Sequence, residues 1–166
     1  KRPGLHLVCV DSTAEHNVKP YRSHGALCEQ VLDEVGASLA SAGASELTCV
    51  ALHHHVVPLP VEGPWEWFAE AFGWPHAREL GLGRELLRRV LGRCDLVLHG
   101  HRHVPRELVA DAPNGRALRV LNAGATLELG AYRVFDVAPG AYAHAWHHLE
   151  QAKPAPKVPA LALALS

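Results

Sequence analysis

The sequence has 166 residues, of which 48% are hydrophobic and 20% are charged, so a disordered or fibrous chain is excluded. This length suits one domain with a buried core. The net charge of -1 gives no electrostatic footprint for nucleic acid or an anionic membrane, and no apolar run is long enough for a membrane span. The presence of 13 histidines and the absence of methionine are unusual, and we interpret the missing methionine as a sign of a fragment or a processed piece.

Alternating strands and helices are predicted in the first hundred residues. Apolar runs predict strands at 5–10 and 47–52 and a third strand from residue 96, which ends on histidines. Apolar residues at steps of three and four predict an amphipathic helix at 26–42, and a basic helix is expected at 83–91.

Three connecting segments carry no strand pattern. Polar residues at 14–24 and three prolines within 56–64 predict loops. The segment 65–74 is rich in aromatic residues at helical spacing, which favours core packing or a lid helix over stacking on nucleobases.

Hairpins are predicted in the last third of the chain. Asn114-Gly115 is a two-residue turn signal between two strand-like runs, and a second pair of alternating runs flanks Pro139-Gly140. The Ala/Pro-rich tail at 151–166 has nothing to fold around, so we divide the chain into a domain at 1–150 and this tail. The order of elements indicates an α/β layer joined to antiparallel strands.

The four cysteines are scattered without a CxxC pair, which indicates neither a zinc knuckle nor a redox pair. Cys9 and Cys49 lie inside apolar runs and are expected to be small buried core residues. This cysteine usage favours a reducing, cytoplasmic location.

Nine of the 13 histidines fall into three groups, at 53–55, at 99, 101 and 103, and at 144, 147 and 148. The first two groups each follow an apolar strand, at the edge where ligand sites form in open α/β sheets. The third group lies in a late alternating run, which is typical of a surface strand with mixed faces.

The spacing of His101 and His103 predicts that both rings project to the same side of an extended backbone, with a sharp turn allowed at Gly100. Neutral imidazole is the commonest ligand of divalent transition metals. Two histidine groups at equivalent strand ends therefore predict a metal site.

These residues also resemble a known family. VALHHH followed by a proline loop, then DLVLHGHRH, LNAGAT and YRVFDV, resembles the C-terminal half of the calcineurin-like metallophosphoesterases. VCVDST and HGALCEQVLDEV extend the likeness upstream, so that it covers about residues 5–138. HHH followed by a PLP-type loop is most similar to members that act on cyclic nucleotide phosphodiesters.

The resemblance implies part of a four-layer α/β/β/α sandwich, with mixed sheets and C-terminal antiparallel hairpins. It implies two divalent metal ions, of Mn, Fe, Zn or Co, with His53 and His101 on one and His103 on the other. His54 and His55 are less favoured than His53. The implied activity is hydrolysis of a phosphomonoester or phosphodiester by a metal-activated water, and a nucleotide is one candidate substrate.

The sequence departs from the family pattern in its first part. The Asp-x-His, Gly-Asp-x-x-Asp and Gly-Asn-His-Asp/Glu elements do not occur. We therefore expect a truncated domain whose missing N-terminal half would complete the site, with two incompletely liganded metals. No catalytic residue is assigned, and the isolated chain is expected to bind metal poorly and to turn over slowly or not at all.

Two other interpretations remain open. One is a mononuclear zinc enzyme with His53, His101 and His103 on a single ion and an open fourth position, as hydratases use. The other is a non-catalytic half-domain, or remnant, that acts as a binding module.

Overall fold

A computed structural model describes residues 4–13, 25–57, 80–101, 103 and 105–149 of the chain. The loop predicted at 14–24, the aromatic segment at 65–74 and the tail at 151–166 lie outside the described residues, as does most of the proline loop. Within the described residues, no helix is long and apolar enough to cross a membrane.

The described residues form seven strands and three helices, in an order that confirms the predicted alternation. The strands are β1 (Leu5–Cys9), β2 (Leu47–Ala51), β3 (Leu96–His99), β4 (Arg106–Asp111), β5 (Ala117–Asn122), β6 (Ala131–Ala138) and β7 (Ala141–His148). The helices are α1 (Glu29–Ala40), α2 (Gly83–Val90) and α3 (Thr126–Leu129). The first helix begins later than predicted because Ala26 forms a parallel bridge with Gly81 and donates its N–H to the Ser12 carbonyl.

Five strands form one mixed sheet in the order β1-β2-β3-β5-β4, and β6 and β7 pair as a separate antiparallel hairpin. The first four strands in that order are parallel, and β4 runs antiparallel to β5. The fold is therefore mixed α/β, as predicted. The β4–β5 hairpin is also confirmed, but its connection is longer than the two-residue turn that Asn114-Gly115 indicates, because strand pairing ends at Asp111 and Ala117.

The two faces of the large sheet bury different partners. On one face, Val50 and Val97 pack with the buried side of α1 and α2, including Leu32 and Leu86. On the other face, Cys49, Leu96 and Leu121 pack against Phe135 and Tyr142 of the β6–β7 hairpin. The hairpin therefore forms a further layer over the sheet, opposite the helices.

The position of β1 at the edge of the sheet corrects the expectation for Cys9. Cys9 is exposed, and Leu7 on the same face is 51% exposed, because the cluster that covers this face of the sheet does not extend to these two residues of the edge strand. Cys49 on the adjacent strand is buried as predicted, and burial raises the pKa of its thiol to about 12. A thiol with so high a pKa is a poor nucleophile at neutral pH.

Asp95 joins three strands at the end of the sheet opposite the histidines. Its carboxylate accepts the Thr48 N–H at 2.8 Å and a two-pronged contact from Arg116, at 2.7 Å from Nε and 2.6 Å from Nη2. Burial opposes ionisation of Asp95, but the hydrogen bonds from Arg116 and Thr48 outweigh it and hold the pKa of Asp95 below its usual value. The contact tethers the start of β5 to β2 and β3.

Replacing Arg116 by methionine is expected to lower the free energy of unfolding at pH 7 by about 2 kcal/mol, since charge-assisted hydrogen bonds to Asp95 are lost. Because folding lowers the pKa of Asp95, this stabilisation is present above the unfolded-state pKa and disappears as the pH falls through the folded-state pKa. Urea denaturation of both proteins measures the difference in free energy of unfolding at pH 7 and at pH 3. Arg88→Met, at a side chain 73% exposed, is the matched control and should change stability by less than about 0.5 kcal/mol. An equal loss in the two variants, or an Arg116 effect as large at pH 3 as at pH 7, would contradict the assignment.

Candidate metal centre

Two histidine segments meet at the carboxyl edge of the large sheet. His53, His54 and His55 follow β2, and His101 follows β3 after Gly100. The two strands are parallel neighbours, and the Gly100 N–H donates to the His53 carbonyl at 3.0 Å. The prediction that neighbouring parallel strands bring both groups to one place is therefore confirmed for these residues.

Three of these histidines form a compact cluster. One donor atom from each of His53, His54 and His101 can be chosen so that all three lie within 4.8 Å of one another. Within this cluster, His101 Nδ1 lies 3.2 Å from His53 Nε2. His53 is exposed, His101 is partly buried and His54 is buried, so the cluster is open to solvent on the His53 side.

The donor set fits a divalent transition metal. Nitrogen ligands lie about 2.0–2.1 Å from zinc, so two of them at the tetrahedral angle are about 3.4 Å apart. The His53–His101 separation is close to this value, and three imidazoles leave a coordination position for water or substrate. His53, His54 and His101 can therefore hold one ion.

The backbone at His101 differs from the predicted extended conformation. His101 has a positive φ of 69°, a left-handed conformation that non-glycine residues rarely adopt. The bend therefore lies at His101, while Gly100 is not among the glycines with positive φ. The same-side projection expected for His101 and His103 does not apply, because it requires an extended chain. Such strain in a non-glycine residue is typical of functional sites.

His103 lies outside the three-histidine cluster. Its Nδ1 is 2.8 Å from the Glu128 carboxylate, and both side chains are largely exposed, at 60% and 62%. The His103 carbonyl accepts the N–H of Ala125 at 2.9 Å, which holds the segment against the start of α3. Of the predicted ligands, the structure brings His53 and His101 together, and His103 as a ligand of a second ion stays a prediction.

His54 belongs to the cluster, although the sequence favoured His53 over His54 as a metal ligand. Its ring is 4.9 Å from His53 and 4.8 Å from His101, measured between centroids. Three consecutive histidines after a strand give no sequence signal for which ring turns inward, since this depends on the bend that follows the strand.

Ser12 fixes the position of His54. The Ser12 hydroxyl lies 2.9 Å from His54 Nδ1 and accepts the backbone N–H of His54 at 3.2 Å. Ser12 is 1% exposed and His54 is 3% exposed, so water does not compete for this contact. When Nδ1–H donates to the hydroxyl oxygen, Nε2 is the nitrogen that can ligate a metal, which is the usual outer support of a metal-binding histidine.

Ser12→Ala is expected to weaken metal binding about 10-fold, because the ring of His54 loses the group that sets its orientation and tautomer. Titration with Zn²⁺ by calorimetry at pH 7.5 measures the change. Ser41→Ala is the matched control, since the Ser41 hydroxyl donates to a carbonyl at the exposed end of α1. Unchanged affinity in Ser12→Ala would mean that the hydroxyl does not support a ligand.

The other buried histidines at this edge belong to the core. His55 is 2% exposed and stacks on His101 with an interplanar angle of 12°. His99 lies opposite Asn122 in the parallel register, and burial lowers its pKa in spite of a hydrogen bond with the Gly100 carbonyl. His99 is therefore neutral at neutral pH.

The third histidine group lies on β7, as expected for a surface strand. His147 and His148 are exposed, and His144 is partly buried beside Phe135, with ring centroids 5.4 Å apart. His147 also stacks on Tyr132, with ring centroids 5.7 Å apart.

No protein-family model and no curated protein matches this chain. The likeness to metallophosphoesterases therefore depends on the sequence motifs alone.

Proposed function

We propose that the protein is a metal-dependent phosphoesterase of the calcineurin-like type, which hydrolyses phosphomonoester or phosphodiester bonds. The observation that carries this proposal is the cluster of His53, His54 and His101 at the carboxyl edge of a parallel sheet. The motifs VALHHH and DLVLHGHRH, which carry the family resemblance, supply all three of these residues.

The layers of the fold support the proposal. Helices cover one face of the five-stranded sheet and the β6–β7 hairpin covers part of the other. We assign the hairpin to the second sheet of a four-layer α/β/β/α sandwich, of which residues 1–150 form the C-terminal portion.

The first metal ion is assigned to His53, His54 and His101. His103 is assigned to a second ion, and its contact with Glu128 supports this. A carboxylate that accepts Nδ1–H fixes the ring and leaves Nε2 to ligate, which is the common carboxylate–histidine–metal arrangement. Imidazole ligands admit Mn, Fe, Zn or Co.

The chemistry of phosphoester hydrolysis suits this arrangement. Divalent cations would supply the charge that neutralises phosphoryl oxygens and the acidity that activates water near neutral pH. The residues of the chain position the site: Ser12 orients His54, the His53 carbonyl holds Gly100, and the bend at His101 turns its ring toward His53. Exposure of His53 leaves room for substrate to approach.

The proposal includes a partner for the site. The sequence lacks the family motifs that supply a metal-bridging aspartate and an asparagine–histidine pair, so a missing N-terminal half is proposed to complete the centre. The substrate class is a phosphoester, with a nucleotide as one candidate. We propose a cytoplasmic location, because the four cysteines are scattered and none forms a CxxC pair.

Turnover of bis(p-nitrophenyl) phosphate by the chain, stripped with EDTA and reloaded with Mn²⁺, tests the proposal. We expect slow, Mn²⁺-dependent release of nitrophenol that disappears in His53→Ala and persists in His147→Ala, whose side chain lies on the exposed hairpin. Metal content measured on the same samples shows whether loading succeeded. Full loading without any turnover, both in this chain alone and in a longer chain that adds the three absent family motifs, would refute the phosphoesterase and favour a binding module.

The same cluster supports a second candidate, a mononuclear three-histidine zinc enzyme. Three donors within 4.8 Å suffice for one ion with an open fourth position. The sequence alone suggested His53, His101 and His103 as ligands of this ion, whereas the cluster contains His54 and not His103. One tightly bound zinc per chain, together with hydration of CO₂ and no phosphoester turnover, would favour it.

A further inference from the structure

A cavity of about 210 Å³ lies between the two sheets, next to the carboxyl edge that carries the histidines. Leu98, Leu121 and Phe135 give it apolar walls. Arg133 on β6 and Thr126 at the start of α3 bring polar groups to the same space. The cavity is therefore apolar with a cationic side chain in its wall.

Two of the three guanidinium nitrogens of Arg133 have no hydrogen-bond acceptor among the described residues. Its side chain is 11% exposed, and Nε and Nη1 are both buried without a hydrogen-bond partner in the part of the chain that the structure describes. The contact with Glu107 is 3.6 Å, which is longer than a hydrogen bond. The ring of Trp146 packs on the guanidinium, with its centroid 4.7 Å from the guanidinium carbon. This cation–π contact provides no hydrogen-bond acceptor for Nε or Nη1.

The surrounding charges leave this region positive. Glu107 already accepts a hydrogen bond from Arg119 at 2.6 Å, so one carboxylate faces two guanidinium groups. Buried donors without acceptors are costly, and a bound anion would relieve that cost.

We propose that this cavity binds a small organic oxyanion, a carboxylate or a phosphate monoester attached to an apolar or aromatic body. The planar guanidinium of Arg133 presents the N–H groups of Nε and Nη2 along one edge, which matches two oxygens of such a group, and Nε is a buried donor without a partner among the described residues. The walls of Leu98, Leu121 and Phe135 would hold the apolar body.

This site is independent of the metal centre. It lies on the face of the sheet that the β6–β7 hairpin covers, and none of His53, His54 and His101 lines it. Binding is therefore expected to survive removal of metal, which separates this proposal from the proposed phosphoesterase.

Calorimetric titration of EDTA-treated protein with four probes tests the inference. Benzoate and phenyl phosphate are the expected ligands and differ only in the anion, so their relative affinities show which oxyanion the cavity prefers. Inorganic phosphate lacks the apolar body and benzyl alcohol lacks the charge, and both are expected to bind at least about 10-fold more weakly.

Arg133→Met is expected to weaken binding of the better probe at least about 10-fold, while Arg88→Met, at an exposed arginine of α2, leaves it unchanged. Ala123→Phe, which adds a ring at a position that lines the cavity and is expected to narrow it, provides a second loss-of-binding variant if Arg133→Met fails to fold. Circular dichroism checks folding in each case. Saturable binding of benzyl alcohol as tight as that of benzoate, no binding of either anion, or unchanged affinity in a folded Arg133→Met or Ala123→Phe variant would overturn the proposal.

Discussion

Replacing His101 by alanine is expected to lower the affinity for Zn²⁺ more than about 100-fold, since loss of a ligand should exceed the 10–100-fold effect of losing a supporting group. His101 Nδ1 lies 3.2 Å from His53 Nε2, so its removal leaves two imidazoles and opens the cluster. Competition against a chelator of known affinity at pH 7.5 measures the change. His147→Ala, a histidine on the exposed hairpin, is expected to bind as tightly as the unaltered protein.

The comparison of His54→Ala with His103→Ala distinguishes the observed cluster from the ligand set implied by resemblance. The structure places His54 with His53 and His101, and pairs His103 with Glu128. We therefore expect His54→Ala to reduce first-ion affinity as strongly as His101→Ala, and His103→Ala to change it less than about 10-fold. A large loss in His103→Ala with full binding in His54→Ala would contradict the cluster.

Metal binding should also weaken in acid. A ligating imidazole must be neutral, so protons compete with the metal for each ligand as the pH falls. Zinc affinity is expected to fall steadily between pH 7.5 and pH 5.5. An affinity independent of pH over this range would argue that histidines are not the ligands.

Gly25→Ala is expected to disturb both stability and metal binding. A Cβ at Gly25 would lie 2.4 Å from Cγ and 2.5 Å from Nδ1 of His54, and 2.7 Å from a methyl group of Leu80. His54 is 3% exposed and is held by Ser12, so the ring cannot move aside without losing that contact. We expect overpacking to lower the free energy of unfolding by about 1–3 kcal/mol. Zinc affinity should fall more than about 10-fold as His54 is displaced.

Gly36→Ala is the matched control for this substitution. Gly36 lies within α1, and a Cβ there would meet nothing within 4 Å. Alanine loses less conformational freedom than glycine on entering a helix, so this variant should gain about 0.5–1 kcal/mol of stability with metal affinity unchanged. Urea denaturation and zinc titration on both variants provide the measurements. A stable Gly25→Ala variant with normal zinc affinity would show that Gly25 and His54 are not in such close contact.

Local patterns in the sequence predict most of the described elements. Continuous apolar runs identify β2 and β3, because strands buried on both faces carry apolar side chains throughout. Alternation around Pro139-Gly140 identifies the β6–β7 hairpin, whose pairing runs to Ala138 and Ala141. These features are short in range, so the information for each lies within a few residues.

Long-range pairing is less accessible from the sequence. The turn signal between β4 and β5 predicts that these two strands pair with each other. It does not predict that β5 also pairs with β3. The exposure of Cys9 also depends on pairing, because an apolar run has the same appearance on an edge strand as in the centre of a sheet.

The sequence by itself determined that histidines follow two strands and that these strands end at one edge of an α/β sheet, since composition and periodicity carry this information. The tertiary structure alone decided which rings meet. The left-handed conformation of His101 breaks the alternation that would pair it with His103, and Ser12, 42 residues earlier in the chain, turns His54 into the cluster. The contact of Ser12 with His54 joins distant segments, and the conformation of His101 departs from the extended chain that its local pattern predicts, so no local pattern of residues encodes either effect.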